Sequence, residues 1–358
     1  MNPSKEPSFL SLLKDSPVFN DNQNTCWLAT TIQFLRNIEK YKFPGKLETD
    51  RRKQLVALVN SYLANNPELA KSFYVKGEEI GYLEKEFLAE HFLSFEMYGQ
   101  AQAGEGFVID PALGFIATLN LQDHIHMELI DYKGDIEQAW SRLMKIETEL
   151  GKSINYSFLP KFGYLTADPT KCGTGMCVSA FLQVPGLVHT EMVDEVLDKY
   201  VDDSFVVTGI QGSPTEIIGD ILKIENSYTI GVTEEAILNG MRNIVGKLIS
   251  EESAVRRTIK KDGDPSYKDK VARAFGILIH SYQIEAIEAL NAISILKLGH
   301  ELEWLEGIEM KALNQLMFNS RRAHLLCEYR QENIPQEAIS HKRAEHIHKV
   351  LKDVKLKV

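Results

Sequence analysis

The chain has 358 residues, 44% of them hydrophobic and 25% charged, with a formal net charge of −10; it is long and apolar enough for one large or two ordinary folded domains and is not a disordered polypeptide. The acidic balance excludes a general nucleic-acid or membrane-surface binder, since both need a cationic footprint and only the tail Lys349–Val358 is locally basic. Four scattered cysteines (Cys26, Cys172, Cys177, Cys327) make no disulfide framework, no apolar run reaches 18 residues, and Met1–Asp15 lacks the apolar core of an export signal, so the expected setting is the cytoplasm.

Ser8–Asn20 reads as a short amphipathic start, Asn20–Asn24 as a polar turn, and Cys26–Ile38 as a strand-like or mixed apolar segment. Arg51–Leu63 and Glu79–Leu93 carry apolar residues at helical spacing: Leu55, Leu58, Val59 and Tyr62 in the first, Ile80, Leu83, Phe87 and His91 in the second. Gly114–Asn120 and Ile125–Ile130 predict two strands, with Asp123 and His124 readable as an Asx-type turn and a structural histidine. Ile136–Leu150 predicts a helix closed by Gly151 as its C-cap. Gly163–Pro185 reads as loop, glycine turn and strand: Gly173 and Gly175 would let backbone amides approach a ligand, and Val178, Ala180, Leu182 and Val184 alternate with Cys177, Ser179, Phe181 and Gln183 as in a half-buried strand.

Glu191–Tyr200 predicts a short helix and Phe205–Ile210 a strand. Thr233 is placed to cap a long helix reaching about Arg257, with Glu234 and Glu235 at its positive end. Lys260–Ser266 concentrates turn formers and charge and is the expected domain boundary. Beyond it no strand is predicted, and Val271–Ile279, Ile284–Leu298, Met310–Phe318 and Gln336–Leu351 read as helices.

The run from Gly163 to Ser179 resembles the signature of the guanido (phosphagen) kinases, most closely the bacterial protein-arginine kinases, Gly-Tyr-Leu-Thr-Ala-Cys-Pro-Thr-x-x-Gly-Thr-Gly-x-Arg-Ala-Ser. Here Asp168 stands for the family cysteine and Cys177 for a nucleotide-binding arginine. Further blocks follow in the family order. Ala29–Asn37 aligns with Ser-Ser-Arg-Ile-Arg-Leu-Ala-Arg-Asn, Ala89–Ser94 with Glu-x-His-Leu-Ile-Ser, and Asn120–His126 with Asn-Glu-Glu-Asp-His-Leu-Arg. Thr208–Glu216 aligns with Arg-Gly-x-Tyr-Gly-Glu-Gly-x-Glu, and Gly219–Asn226 and Thr229–Gly231 with Gly-Asn-x-x-x-Ile-Ser-Asn and Thr-Leu-Gly.

The resemblance implies an α+β fold: an antiparallel sheet flanked by helices over residues 1–260, then a helical domain over 265–358, expected to dimerise and regulate. It implies ATP with Mg as cofactor and no protein-bound metal. The implied nucleotide positions are Ala29, Thr30, Thr31, Ile32, Gln33, His91, His126, Cys177, Val178, Ser179, Ala180, Phe181, Thr208, Gly209, Ile210, Gln211, Gly212 and Ser213, and the implied catalytic positions are Asp168, Gln122 and Asp123. His91 reads equally as a packed or solvated helix histidine, and Arg36 as an exposed or fold-bracing arginine. Implied partners are a second copy, a zinc-binding activator or an arginine-containing protein. A regulatory phosphoarginine pocket, Arg-Asp-x-x-Arg-Ala in the family, is here Ile339-Ser-His-Lys-Arg-Ala344.

Phosphoryl transfer to a guanidinium needs cations over the developing charge and a base for the nitrogen. The five arginine positions hold Thr31, Gln33, His126, Cys177 and Thr208, and the two glutamates are Leu121 and Gln122. The preferred reading is a degenerate kinase retained as a binding or regulatory partner. The alternative is an active kinase with a rebuilt site, Asp168 as base and Lys171 as phosphate cation. A third reading gathers His124, His126, Asp168, Cys172 and Cys177 round a metal.

Overall fold

The computed structural model describes residues 26–92, 103–329 and 334–357. The start at Ser8–Asn20, the polar turn after it, and the last residue of the Glu79–Leu93 segment lie outside them. In chain order the strands are β1 (Trp27–Arg36), β2 (Phe73–Lys76), β3 (Gly106–Ile109), β4 (Phe115–Leu119), β5 (Ile125–Asp131), β6 (Phe158–Leu159), β7 (Gly163–Tyr164), β8 (Met176–Gln183), β9 (Phe205–Gly209), β10 (Ile221–Asn226), β11 (Leu305–Glu306) and β12 (Lys355–Leu356). The helices are α1 (Thr49–Ala64), α2 (Tyr82–Glu90), α3 (Ile136–Gly151), α4 (Pro185–His189), α5 (Val193–Tyr200), α6 (Glu234–Asp262), α7 (Pro265–His280), α8 (Ala286–Glu301), α9 (Met310–Asn319), α10 (Arg322–Tyr329) and α11 (Gln336–Leu351). Eight strands form one antiparallel sheet in the order β2-β3-β4-β5-β1-β8-β10-β9.

The pleat sends alternate side chains to opposite faces. On one face Ile32, Phe34, Met127, Leu129, Val178, Ala180 and Ile224 pack against Leu55 and Val59 of α1, Leu143 and Ile146 of α3, and Met241 and Leu248 of α6. On the other, Ala29, Ile116, Ile130, Phe181 and Ile221 pack against Phe87 of α2, Leu290 and Ile293 of α8, and Leu316 and Phe318 of α9. The C-terminal helices thus close one end of the second face. This corrects the half-buried strand expected at Cys177–Val184, because β8 is buried along its whole length.

Other differences have local causes. Gly77–Glu79 forms a 3₁₀ turn, so α2 starts only at Tyr82 and is shorter than its apolar spacing suggests. Gly151 stays inside α3, and the cap is Lys152 in ordinary right-handed conformation. The long helix runs past Arg257 to Asp262 and stops at Gly263, whose φ of 61° suits glycine. Asp264 then caps Ser266 N at 2.8 Å and Pro265 opens α7, so the boundary segment is a tight helix-to-helix break. Beyond it β11 and β12 do form, as a two-residue pair.

Two buried cations join the layers. Arg36, the last residue of β1, is 1% exposed. Its Nε donates to Glu147 Oε1 of α3 at 2.7 Å, its Nη1 to Leu35 O and Thr174 O at 3.0 and 2.9 Å, and its guanidinium lies 3.7 Å from the Tyr164 ring centre. It braces the fold. Removing one member of such a pair strands the other charge, so Arg36→Met is expected to lose about 3–5 kcal/mol of stability in denaturant unfolding; a loss below about 1 kcal/mol would show the pair to be dispensable.

Lys297 of α8, 3% exposed, donates its ammonium to Gln183 Oε1 on β8. Burial, then the nearby Arg256, depresses its pKa from 10.5 to about 7, against the opposing pull of Cys26, Glu301 and Asp220. The folded value lies below the unfolded one, so between pH about 7 and about 10.5 the unfolded chain holds the extra proton and stability rises with pH. Thermal melts of the wild type and Lys297→Met should therefore diverge steadily across that window in favour of the wild type. A difference that stays constant with pH removes the claim.

Candidate functional site

The second face of the sheet changes character along the strands. Its closed end is apolar, and its other end presents polar residues in adjacent register. Gln33 lies between Glu128 and Cys177, Thr31 between Ile130 and Ser179, and Ser179 faces Glu225 on β10. Leu35 is opposite His126, and Lys223 sits between Phe181 and Thr208. Because the strand period is two, Thr30, Ile32, Val178 and Ala180 turn into the opposite core, each wholly buried. Of the expected nucleotide positions on β1 and β8, only Ala29, Thr31, Gln33, Cys177, Ser179 and Phe181 share the cleft face.

The charges that line this face cancel one another. Gln33 Nε2 donates to Glu128 Oε1 at 3.1 Å, and Glu128 is 1% exposed. Ser179 Oγ donates to Glu225 Oε2 at 2.8 Å, Lys223 Nζ reaches the same oxygen at 2.7 Å, and Lys171 Nζ lies 3.7 Å from Oε1. Burial pushes the Glu225 carboxyl up, but Lys223, then the Ser179 hydroxyl and Lys171, outweigh it and hold it below the ordinary range. Burial drops His126 to about 4, so its imidazole is neutral, and among the described residues its Nε2 has no hydrogen-bond partner. Thr31 Oγ1 is likewise buried without one.

At the rim, Asp123 is buried and accepts from Asn37 Nδ2 at 2.5 Å and Ala167 N at 2.6 Å, which ties the β4–β5 loop to the segment before Asp168. Gln122 is exposed on that loop. Asp168 is also exposed; it accepts from Thr170 N at 2.9 Å and Thr170 Oγ1 at 2.8 Å, and those two bonds lower its pKa. Gly173 does not free amides for a ligand: its φ is 104°, a Cβ there would lie 2.3 Å from Thr229 O, and its own N–H donates to Tyr164 O at 3.2 Å. In the turn after β9, Gly209 N donates to Ser213 O at 2.7 Å, and Gly212 N to Gly209 O at 2.9 Å. Ile210 packs with the helical side, while Gln211 and Ser213 stay near the surface, Ser213 Oγ accepting from Glu216 N at 3.2 Å.

His91 is held by its own helix and by α10. It ends α2 with its Nδ1 2.9 Å from Phe87 O and its ring 4.6 Å from that of His324 on α10. Burial, then the neighbouring His324, lowers it to about 3. Beside it Glu90 accepts from Ala323 N and His324 N at 3.0 and 3.2 Å, capping α10. The five residues proposed to share a metal do not converge, since among the described residues no group of three or more His, Cys, Asp or Glu could hold one. His124 explains why: Nδ1 accepts from Ile38 N at 3.0 Å, so Nε2 carries the proton and donates to Lys42 O at 2.9 Å.

Glu128, Lys223 and Glu225 are cleft residues that the motif comparison passed over. The signal was present as polar residues alternating with apolar ones in otherwise core-forming strands, at same-face positions to His126 and Ser179. In the C-terminal helices Ile339 is buried, Ser340 Oγ donates to Glu285 Oε1 at 2.6 Å, and Arg343 donates to Ser320 O and Ile284 O at 2.6 and 2.7 Å. Arg343 is thus engaged by two main-chain carbonyls.

The family model described as "ATP:guanido phosphotransferase, C-terminal catalytic domain" matches residues 54–255, and that of the "Protein-arginine kinase McsB C-terminal domain" matches residues 265–357. The chain is 30% identical to a protein-arginine kinase of Chlamydia pneumoniae over 92% of each chain. It is 28% identical to that of Halothermothrix orenii over 83% of this chain and 85% of the relative. Among solved structures, a duplicated taurocyamine kinase from Schistosoma mansoni superposes with a TM-score of 0.58 at 22% identity, covering 70% of this chain and 36% of that one. A lombricine kinase superposes at 0.56 and 19% identity, covering 72% and 74%. These likenesses establish the fold.

With Arg343 engaged and Ile339 and Ser340 in place of an arginine and an aspartate, free phosphoarginine is expected not to bind the C-terminal helices. Calorimetry on the full chain tests this: saturable, phosphate-dependent heat that Arg343→Lys abolishes would contradict it.

Proposed function

The chain belongs to the ATP:guanido phosphotransferase family and carries the C-terminal domain of the protein-arginine kinases, and on that premise we propose that it is a degenerate member, with little or no phosphoryl transfer, that serves by binding. The observation that carries this reading is the row across β5, β1 and β8 in which His126, Gln33, Thr31 and Cys177 surround the buried carboxylate of Glu128. Where the family sets fixed guanidinium charges, this row and Thr208 offer dipoles and a neutral imidazole. None of these groups brings the fixed positive charge that a triphosphate needs.

Magnesium ATP does not fit these residues. Lys171 and Lys223 both contact the carboxylate of Glu225, so each would have to give up that contact to meet a phosphate. One lost transition-state donor typically costs about 10²–10³ in rate and an arginine finger about 10³–10⁵. The losses are not additive, yet five together leave no ordinary reaction. The rebuilt-site alternative is weaker still on the acceptor side. Asp168 is held ionised by Thr170 with a lowered pKa, which makes it a poor base for a guanidinium.

Incubation with labelled Mg-ATP and arginine-rich proteins is expected to give no acid-labile phosphate, and titration with Mg-ADP no saturation below the millimolar range. Robust product that disappears in Asp168→Ala would overturn the degenerate reading and establish the rebuilt site.

A further inference from the structure

At the far edge of the sheet, β9 has no strand beyond it among the described residues. Phe205 N and Gly209 N bond to Asp202 O and Ser213 O, outside the β10 ladder, and Ser227 N bonds to Ser204 O on the ladder side. By antiparallel alternation the N–H and C=O of Val207, midway between, point outward from the sheet. Natural edge strands are usually blunted by a lysine, a proline or a bulge. β9 is Phe-Val-Val-Thr-Gly, in regular register with β10 and with Val206 51% exposed. It keeps an open pairing edge.

Beneath that edge runs a groove of about 370 Å³ between β9 and α5, floored by Leu197, Val201, Phe205 and Val207. Three carboxylates, Asp198, Asp202 and Asp203, form its rim and are exposed. Ser204 N donates to Asp202 Oδ1 at 2.9 Å, and the lysine on α5, Lys199, is paired with Glu251 at 3.2 Å. An apolar floor with an anionic rim matches a long cationic side chain, whose methylenes lie on the floor while its head stays at the carboxylates. A second copy of this chain is a poor occupant: edge-to-edge pairing would bring two sets of aspartates together.

We propose that β9 and this groove bind an extended basic segment of a partner protein by strand addition, with an arginine or lysine of that segment seated in the groove. Main-chain pairing to Val207 supplies the attachment, and the aspartate rim supplies selection for positive charge. Strand alternation then places the neighbouring side chains of the segment on the other face, beside Val206 and Thr208 and toward the cleft. The surface lies outside the cleft residues, so it stands whether or not the cleft turns over nucleotide.

The test uses the full chain and a fluorescein-labelled peptide of alternating arginine and valine, followed by anisotropy at low salt. Saturable binding is expected, with none for the glutamate-and-valine analogue. The double variant Asp198→Asn/Asp203→Asn should weaken it about tenfold. N-methylation of the peptide amides in one alternate register should abolish binding, while the other register leaves it intact, a readout that does not alter the protein. Absence of saturation, indifference to the aspartate pair, or equal sensitivity to both N-methyl registers would each overturn the proposal.

Discussion

The buried pair of Arg36 and Glu147 is the contact on which the arrangement of this molecule turns. Arg36 stands where the central strand β1 ends, Glu147 is on the helix packed behind it, and the same guanidinium donates to the main chain of the glycine loop. One planar cation thereby fixes the sheet, one flanking helix and the rim of the cleft relative to one another. Its five donors and its stacking on Tyr164 are what a lysine could not supply.

The cleft depends on that frame for its position but not for its chemistry. Frame residues such as Asn37, Asp123 and His124 satisfy each other and the nearby main chain, so the loops around the cleft need no ligand to be held. The cleft itself carries lysines and glutamates in nearly balanced contact. Such a surface binds polar or cationic groups more readily than a polyphosphate, because each lysine would have to leave a carboxylate before meeting a phosphate. The fold and the loss of its usual charge pattern are therefore compatible, since they rest on different residues.

The C-terminal helices form part of the wall of the sheet. Gln183, at the end of β8, donates to Ser294 Oγ at 2.9 Å and Gly219 O at 2.9 Å and accepts from Lys297. Glu90 and Arg321 make a second bridge, Arg321 Nη1 donating to Glu90 O at 2.7 Å across a long separation in sequence. Both are buried polar links, which specify one mutual placement of sheet and helices where apolar contact alone would tolerate several.

Much of the architecture was legible in the residues. The Thr233 cap, the Ile136–Leu150 periodicity and the strands around Asn120–His126 are local patterns, and the ordered motif blocks identified the sheet-plus-helices fold. The substitutions at Thr31, Gln33, His126, Cys177 and Thr208 were equally plain, because they need only alignment. What the sequence could not determine was contact between distant segments. The burial of β8 on both faces depends on α8 and α9 more than a hundred residues away, the packing of His91 involves His324, and the pairing of Lys171 depends on Glu225 of β10. Periodicity states which side chains share a face; only tertiary packing decides what that face meets, and a charge's chemistry follows from what it meets.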